Sequence, residues 1–133
     1  MLKTDLIDFL RAGHAGFARQ NMDVIEKGLA PEIEWYTPGN HPLSGKRVGI
    51  DEVKDWIHSS AEMTDGTFRV DVHRIVTNGP WAAAISTYRG QRKGLVLEMP
   101  GVQTFRIDQA RGLVTEARIF VYDDAFVDRF WAA

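Results

Sequence analysis

The sequence predicts an α+β domain in which a curved antiparallel sheet is packed on three helices that precede most of it. Three observations predict it. Near the N-terminus apolar residues recur three and four apart; from Phe68 onward they alternate in period two; and the alternating runs are separated by turn signals, of which Asn78-Gly79 is the strongest.

Thr4 is placed to cap a first helix whose inward stripe is Leu6, Ile7, Leu10, His14 and Phe17. His14 falls in mid-stripe, where it is either a locally bonded core residue or an acid–base group, since imidazole titrates near neutrality. Gln20-Asn21-Met22-Asp23 breaks the helix, Asp23 can cap a short second one through Val24, Ile25 and Leu29, and Pro31 stops that one. Glu32 to Thr37 reads as a short strand with Trp35 and Tyr36 on opposite faces, so only one of the two can line a pocket. The turn-rich run Pro38 to Gly45 excludes regular structure, and a helix from about Ile50 to Met63 buries Ile50, Val53, Trp56 and Ile57. His41 and His58 are expected at the surface, with a place at the pocket edge open to His41.

Phe68, Val70 and Val72 alternate with Arg69, Asp71 and His73, a half-buried strand in which His73 takes the polar side. After Asn78-Gly79, a strand from Trp81 to Arg89 carries Ala83, Ile85 and Thr87 on one face and Ala82, Ala84, Ser86 and Tyr88 on the other. A hairpin over Gly90 to Gly94 leads into two long strands. The first has Leu95, Leu97, Met99, Gly101, Gln103, Phe105 and Ile107 in phase, and Gln103 is its polar exception. The second has Leu113, Ala117, Ile119 and Val121 in phase and ends with Asp123 at the rim. Pro100-Gly101 argues for a bulge or bend that curves the sheet into a cup around the first helix. A greasy concave wall with one amide and one rim carboxylate has the character of a small-molecule pocket. A last short helix carrying Phe126, Val127, Phe130 and Trp131 caps the sheet.

Composition narrows the function classes. At 133 residues the chain fits one domain over 1–133, and 44% hydrophobic with 26% charged residues belongs to ordered globular proteins. A net charge of -2 with no basic stripe argues against nucleic acid. Without cysteine there is no thiolate nucleophile or zinc-thiolate site. The four histidines are scattered, so no metal is expected, and no glycine run ends in Lys-Ser or Lys-Thr to cradle phosphate. No window reaches the length of a membrane span, and the charged start lacks the apolar run of a signal peptide, consistent with a cytoplasmic home.

The order of elements, with Trp35-Tyr36-Thr37-Pro38-Gly39 through Pro42-Leu43-Ser44-Gly45 to Gly49 and with Tyr122-Asp123 closing the last strand, resembles the SnoaL-like branch of the nuclear transport factor two-like superfamily. The resemblance covers nearly the whole chain. It implies a cystatin-like cone, open at one end, and a homodimer through the outer sheet face carrying Glu116, Arg118, Phe120 and Tyr122. The superfamily spans ketosteroid isomerases, polyketide cyclases, epoxide hydrolases, dehydratases and non-catalytic binders, so residues must decide the reaction. Where the isomerases have their catalytic base, this chain has Tyr36; where they have a proton-donating aspartate, it has Gln103; their first-helix tyrosine falls opposite His14 or Ala15. The cyclase pattern's acid–base aspartate matches Asp123, or Asp124 in the alternative register.

The resulting expectation is an enzyme of isomerase or cyclase type, needing no cofactor, that acts on a hydrophobic carbonyl compound. Asp123 is its base, with His14, Tyr36 and Gln103 as hydrogen-bond donors. Phe17, Trp35, Trp56, Ile85, Phe105, Ile119 and Val121 are expected to line the substrate site. The reading depends on Asp123 lying at a cavity; Asp123 is equally well placed to cap the last helix. The alternative is a non-catalytic protein that holds an apolar ligand unchanged.

Overall fold

The computed structural model describes residues 3–18 and 21–133. The side chain of Thr4 and residue Gln20, on which the sequence places a cap and a break, lie outside that description. The elements are α1 (Lys3–Ala18), α2 (Met22–Gly28), β1 (Leu29–Thr37), β2 (Gly45–Val48), α3 (Ile50–Met63), β3 (Arg69–Asn78), β4 (Trp81–Arg92), β5 (Leu95–Asp108), β6 (Leu113–Val121) and α4 (Asp124–Ala132). The strands form one open six-stranded sheet in the order β2-β1-β6-β5-β4-β3. Every neighbouring pair is antiparallel except β1 with β6, so the sheet is mixed, not wholly antiparallel. The fold is α+β.

The departures from expectation have local causes. Asn21, not Asp23, caps α2, its side chain accepting from the Val24 N–H. Nor does Pro31 end that helix. The last turn closes when the Leu29 N–H donates to the Glu26 carbonyl, and the chain passes directly into β1. Proline is tolerated there because the β1–β6 register shifts between Leu29 and Glu34, which spares that stretch a regular ladder. The turn-rich run ends one residue earlier than expected, and β2 turns back from Gly45 to pair with β1 from Thr37↔Gly45 to Glu34↔Val48. The edge groups of β1 are thereby satisfied.

Alternation in β5 is kept throughout: Leu97, Met99, Gln103, Phe105 and Ile107 are buried, and its register with β4 is unbroken across Pro100-Gly101. Of the bulge or bend expected at Pro100-Gly101, the bulge is therefore absent. Gly101 is instead a point of close approach, where a Cβ would lie 2.3 Å from both the Phe120 carbonyl oxygen and the Tyr88 ring. Besides the shift between β1 and β6, the register shifts at two further places among the described residues. Arg106 pairs with Glu116 and Ile107 with Val114, leaving Thr115 as the extra residue, so that Val114 and not Leu113 shares the inward face with Ala117 and Ile119. Similarly Val72 pairs with Ser86 and Arg74 with Ile85, which leaves His73 as the extra residue, its Nε2 2.7 Å from Thr87 Oγ1 on the outside.

The helices cover the inward face. Leu6 and Leu10 of α1, Val53, Trp56 and Ile57 of α3, and Val127, Phe130 and Trp131 of α4 join the buried strand residues in one apolar cluster.

Candidate functional site

Between the helices and the inward face of the sheet lies a cavity of about 290 Å³, at the small end of the roughly 300–1,000 Å³ usual for ligand pockets. Phe9, Phe17, Trp35, Trp56, Phe68 and Phe105 line it, with Val24, Ile25, Leu29, Val70, Val114 and Ile119 filling the wall between them. The polar lining residues are His14, Lys27, Tyr88 and Gln103.

His14 and Gln103, 89 residues apart in the chain, meet in this wall. The His14 Nδ1–H donates to the Leu10 carbonyl one turn back (2.8 Å), and Nε2 lies 2.7 Å from Gln103 Oε1. The edge of the imidazole packs on Phe105, with ring centroids 5.7 Å apart and planes at 84°. Helical spacing puts the Leu10 carbonyl where it can fix the tautomer, and strand alternation turns Gln103 inward from β5. With Nδ1 holding its proton, the neutral ring offers a lone pair at Nε2. The Gln103 amide can meet that lone pair with its N–H, or meet the imidazolium with its oxygen, by turning end for end. Such a pair remains bonded in both protonation states of the histidine.

The aromatic wall is fixed from behind. Trp56 Nε1 donates to the Leu43 carbonyl (3.0 Å), and Trp35 packs on Trp56 at 5.3 Å. The Tyr88 hydroxyl donates to the Val102 carbonyl (3.3 Å), and burial pushes its phenol far up, so it stays protonated. The Trp35 indole N–H is buried without a partner among the described residues.

Of the residues predicted from sequence, His14, Gln103, Phe17, Trp35, Trp56, Phe105 and Ile119 come together around the cavity. Four do not. Asp123 is exposed and acts as the N-cap of α4, accepting from the Phe126 N–H (3.0 Å); Asp124, the alternative, is the exposed first residue of that helix. Tyr36 is on the outer sheet face, because Trp35 next to it points inward. Its hydroxyl donates to Glu34 (3.1 Å) and its ring lies under the Arg118 guanidinium at 3.9 Å. Ile85 is 44% exposed: in β4 the buried face is Ala82, Ala84, Ser86 and Tyr88, so the branched residue between them faces out. Val121 is half-buried opposite Gly101, beyond the end of the cavity lining. Lys27 is the lining residue with least signal in the sequence, since the last turn of a short helix is an ordinary place for a cation.

His41, expected at the surface, is buried. Its Nδ1 accepts from the Leu43 N–H (3.1 Å), and its ring lies 6.4 Å from that of Trp131. Burial holds its pKa below 6.5, with Asp128 and the Pro38 carbonyl offsetting part of the effect. It is not among the residues lining the cavity. Among the described residues no three His, Asp or Glu side chains are grouped as metal ligands, and no helix is long and apolar enough to cross a membrane.

Comparison with known proteins now places the chain. The model of the SnoaL-like domain matches residues 10–117, most of its length. The chain belongs to the SnoaL-like family. A relative in Mycobacterium tuberculosis, the uncharacterized protein Rv0034, is 30% identical over 127 residues, covering 95% of each chain. Among solved structures, a protein of unknown function with a cystatin-like fold from Xanthomonas campestris superposes with a TM-score of 0.89 at 27% identity, over 96% of this chain and 98% of that one. TerC, co-crystallised with polyporic acid, superposes with a TM-score of 0.82 at 19% identity, over 94% and 96% of the two chains. At that identity TerC shares the fold of this SnoaL-like protein and nothing finer.

Proposed function

We propose that this protein binds an apolar, carbonyl-bearing small molecule in the cavity and acts on it by proton transfer at His14, a chemistry of isomerase or cyclase type. The observation that carries the reading is the His14–Gln103 pair, set in a mainly apolar wall with Nδ1 tied to a backbone carbonyl. A tautomer held in this way directs the working lone pair at Nε2. A substrate carbonyl entering beside Gln103 takes the amide N–H as an oxyanion donor while Nε2 removes the adjacent proton. The unpartnered Trp35 indole N–H is a further donor that a bound acceptor would satisfy. Asp123 has no part in this scheme. That a protein of the same fold was co-crystallised with polyporic acid agrees with a cavity built for organic ligands.

The second reading, binding without transformation, is favoured by a specific observation: among the described residues no Asp or Glu lines the cavity, and both nitrogens of His14 are engaged. Imidazole ¹⁵N NMR with the apolar ketone 2-tetralone separates the two. The catalytic reading expects the neutral His14 ring to carry its proton on Nδ1 and its Nε2 resonance to move when the ketone is added. Movement of aromatic-wall resonances with His14 Nε2 unmoved supports binding alone.

The proposal extends to assembly. On the outer face Ile85, Val102 and Phe120 are cross-strand neighbours over β4, β5 and β6, with Ile85 44% and Phe120 50% exposed. Trp81 is exposed on the same face. An apolar row across three strands supports a homodimer through this face.

A further inference from the structure

Resting on the reading of the cavity as a ligand site, we propose that its ligand is an organic anion whose negative group pairs with Lys27. Among the described residues lining the cavity, Lys27 is the one with a formal charge, and none of them is a carboxylate. Its neighbour Glu26 is tied to Lys54 of α3 in an ion pair, and so is drawn away from Lys27. Lys27 itself takes part in no ion pair among the described residues. It is followed by Gly28, where a Cβ would meet the Phe9 ring at 3.3 Å, so α1 and α2 close on each other immediately beside the lysine.

The arrangement sorts ligands by shape and charge. Aromatic walls take a flat apolar body. A cation with no carboxylate beside it among the described lining residues makes the cavity favour a negative group over a neutral or positive one. The His14–Gln103 pair is then left for a second polar atom, the carbonyl. The substrate class is therefore an aromatic or alicyclic keto acid, its carboxylate at Lys27 and its carbonyl at His14. Because Lys27 is exposed, its contribution is that of a screened ion pair, a few-fold in affinity.

Calorimetric titration with 2-naphthoate and with its neutral counterpart 2-naphthamide tests this at low and moderate salt. Wild type is expected to bind naphthoate more tightly than the amide, with an advantage that shrinks as salt is raised. Lys27→Met is expected to weaken naphthoate about three- to fivefold and leave the amide unchanged; Lys27→Glu goes further in the same direction. Unchanged amide affinity also shows that the variants are folded. Equal binding of both probes, unaffected by either substitution, overturns the role of Lys27 and leaves the cavity a neutral-ligand site. Binding of neither probe overturns the binding reading and this inference together.

Discussion

At the scale of single residues, what decided the site was direction more than identity. His14 and Gln103 were both legible from periodicity alone, because a helix stripe and a strand face each leave one direction for the side chain. Alternation makes Trp35 and Tyr36 opposites but does not say which face is inward. Asp123 was in phase with the inward face and yet ends as a cap, since the backbone leaves the strand there and the unpaired amides at the start of α4 claim its carboxylate. His41 was hidden for a different reason: in a Pro- and Gly-rich loop no period exists to report burial. The His41 ring gives a testable pH dependence. Burial depresses its pKa in the folded state below 6.5, so protons bind the unfolded chain more tightly. The stability this contributes is complete above about 6.5 and is lost as pH falls from there through the folded value. Urea midpoints at pH 7.5 and pH 5 should show wild type losing more stability on acidification than His41→Gln. Equal losses would mean that His41 is solvated.

At the scale of elements, the helices and the long strands followed from spacing, and the errors gathered where pairing is irregular. Counting in twos puts Leu113 inward, but the extra residue Thr115 reverses the phase between Val114 and Glu116. His73 does the same in β3 and brings Ile75 inward. A bulge is a property of two strands together, and one strand's sequence does not announce it. Pro100-Gly101 illustrates the converse. The dipeptide signals a bulge or bend, whereas the glycine is required because Tyr88 from β4 and the backbone of Phe120 close upon it from either side. Strand β2 and the parallel pairing of β1 with β6 escaped for a related reason: both rest on partners distant in sequence, and parallel pairing carries no turn signal.

At the scale of the whole molecule, the proposed function gives the two faces of the sheet separate uses. The inward face and the helices enclose the cavity, while the outward face presents the row Ile85, Val102 and Phe120. Sedimentation velocity tests the second use. Wild type is expected to run as a dimer and Phe120→Asp as a monomer, since a carboxylate in the middle of an apolar interface is left unpaired on both copies. A monomeric wild type would contradict it. The alanine pattern of β4, which from sequence leaves room beside the sheet, and the apolar alternation of β5 made the cup foreseeable; the anion-selecting lysine was not, because its place is set by how α2 docks. The central claim, that His14 moves a proton on a ligand held in this cup, is tested most directly by deuterium exchange. 2-Tetralone is incubated with the protein in D₂O and its α-protons are followed by NMR. The account predicts exchange well above the buffer rate with wild type and its loss in His14→Gln, with binding retained; exchange at the buffer rate by a wild-type protein that binds the ketone would contradict it.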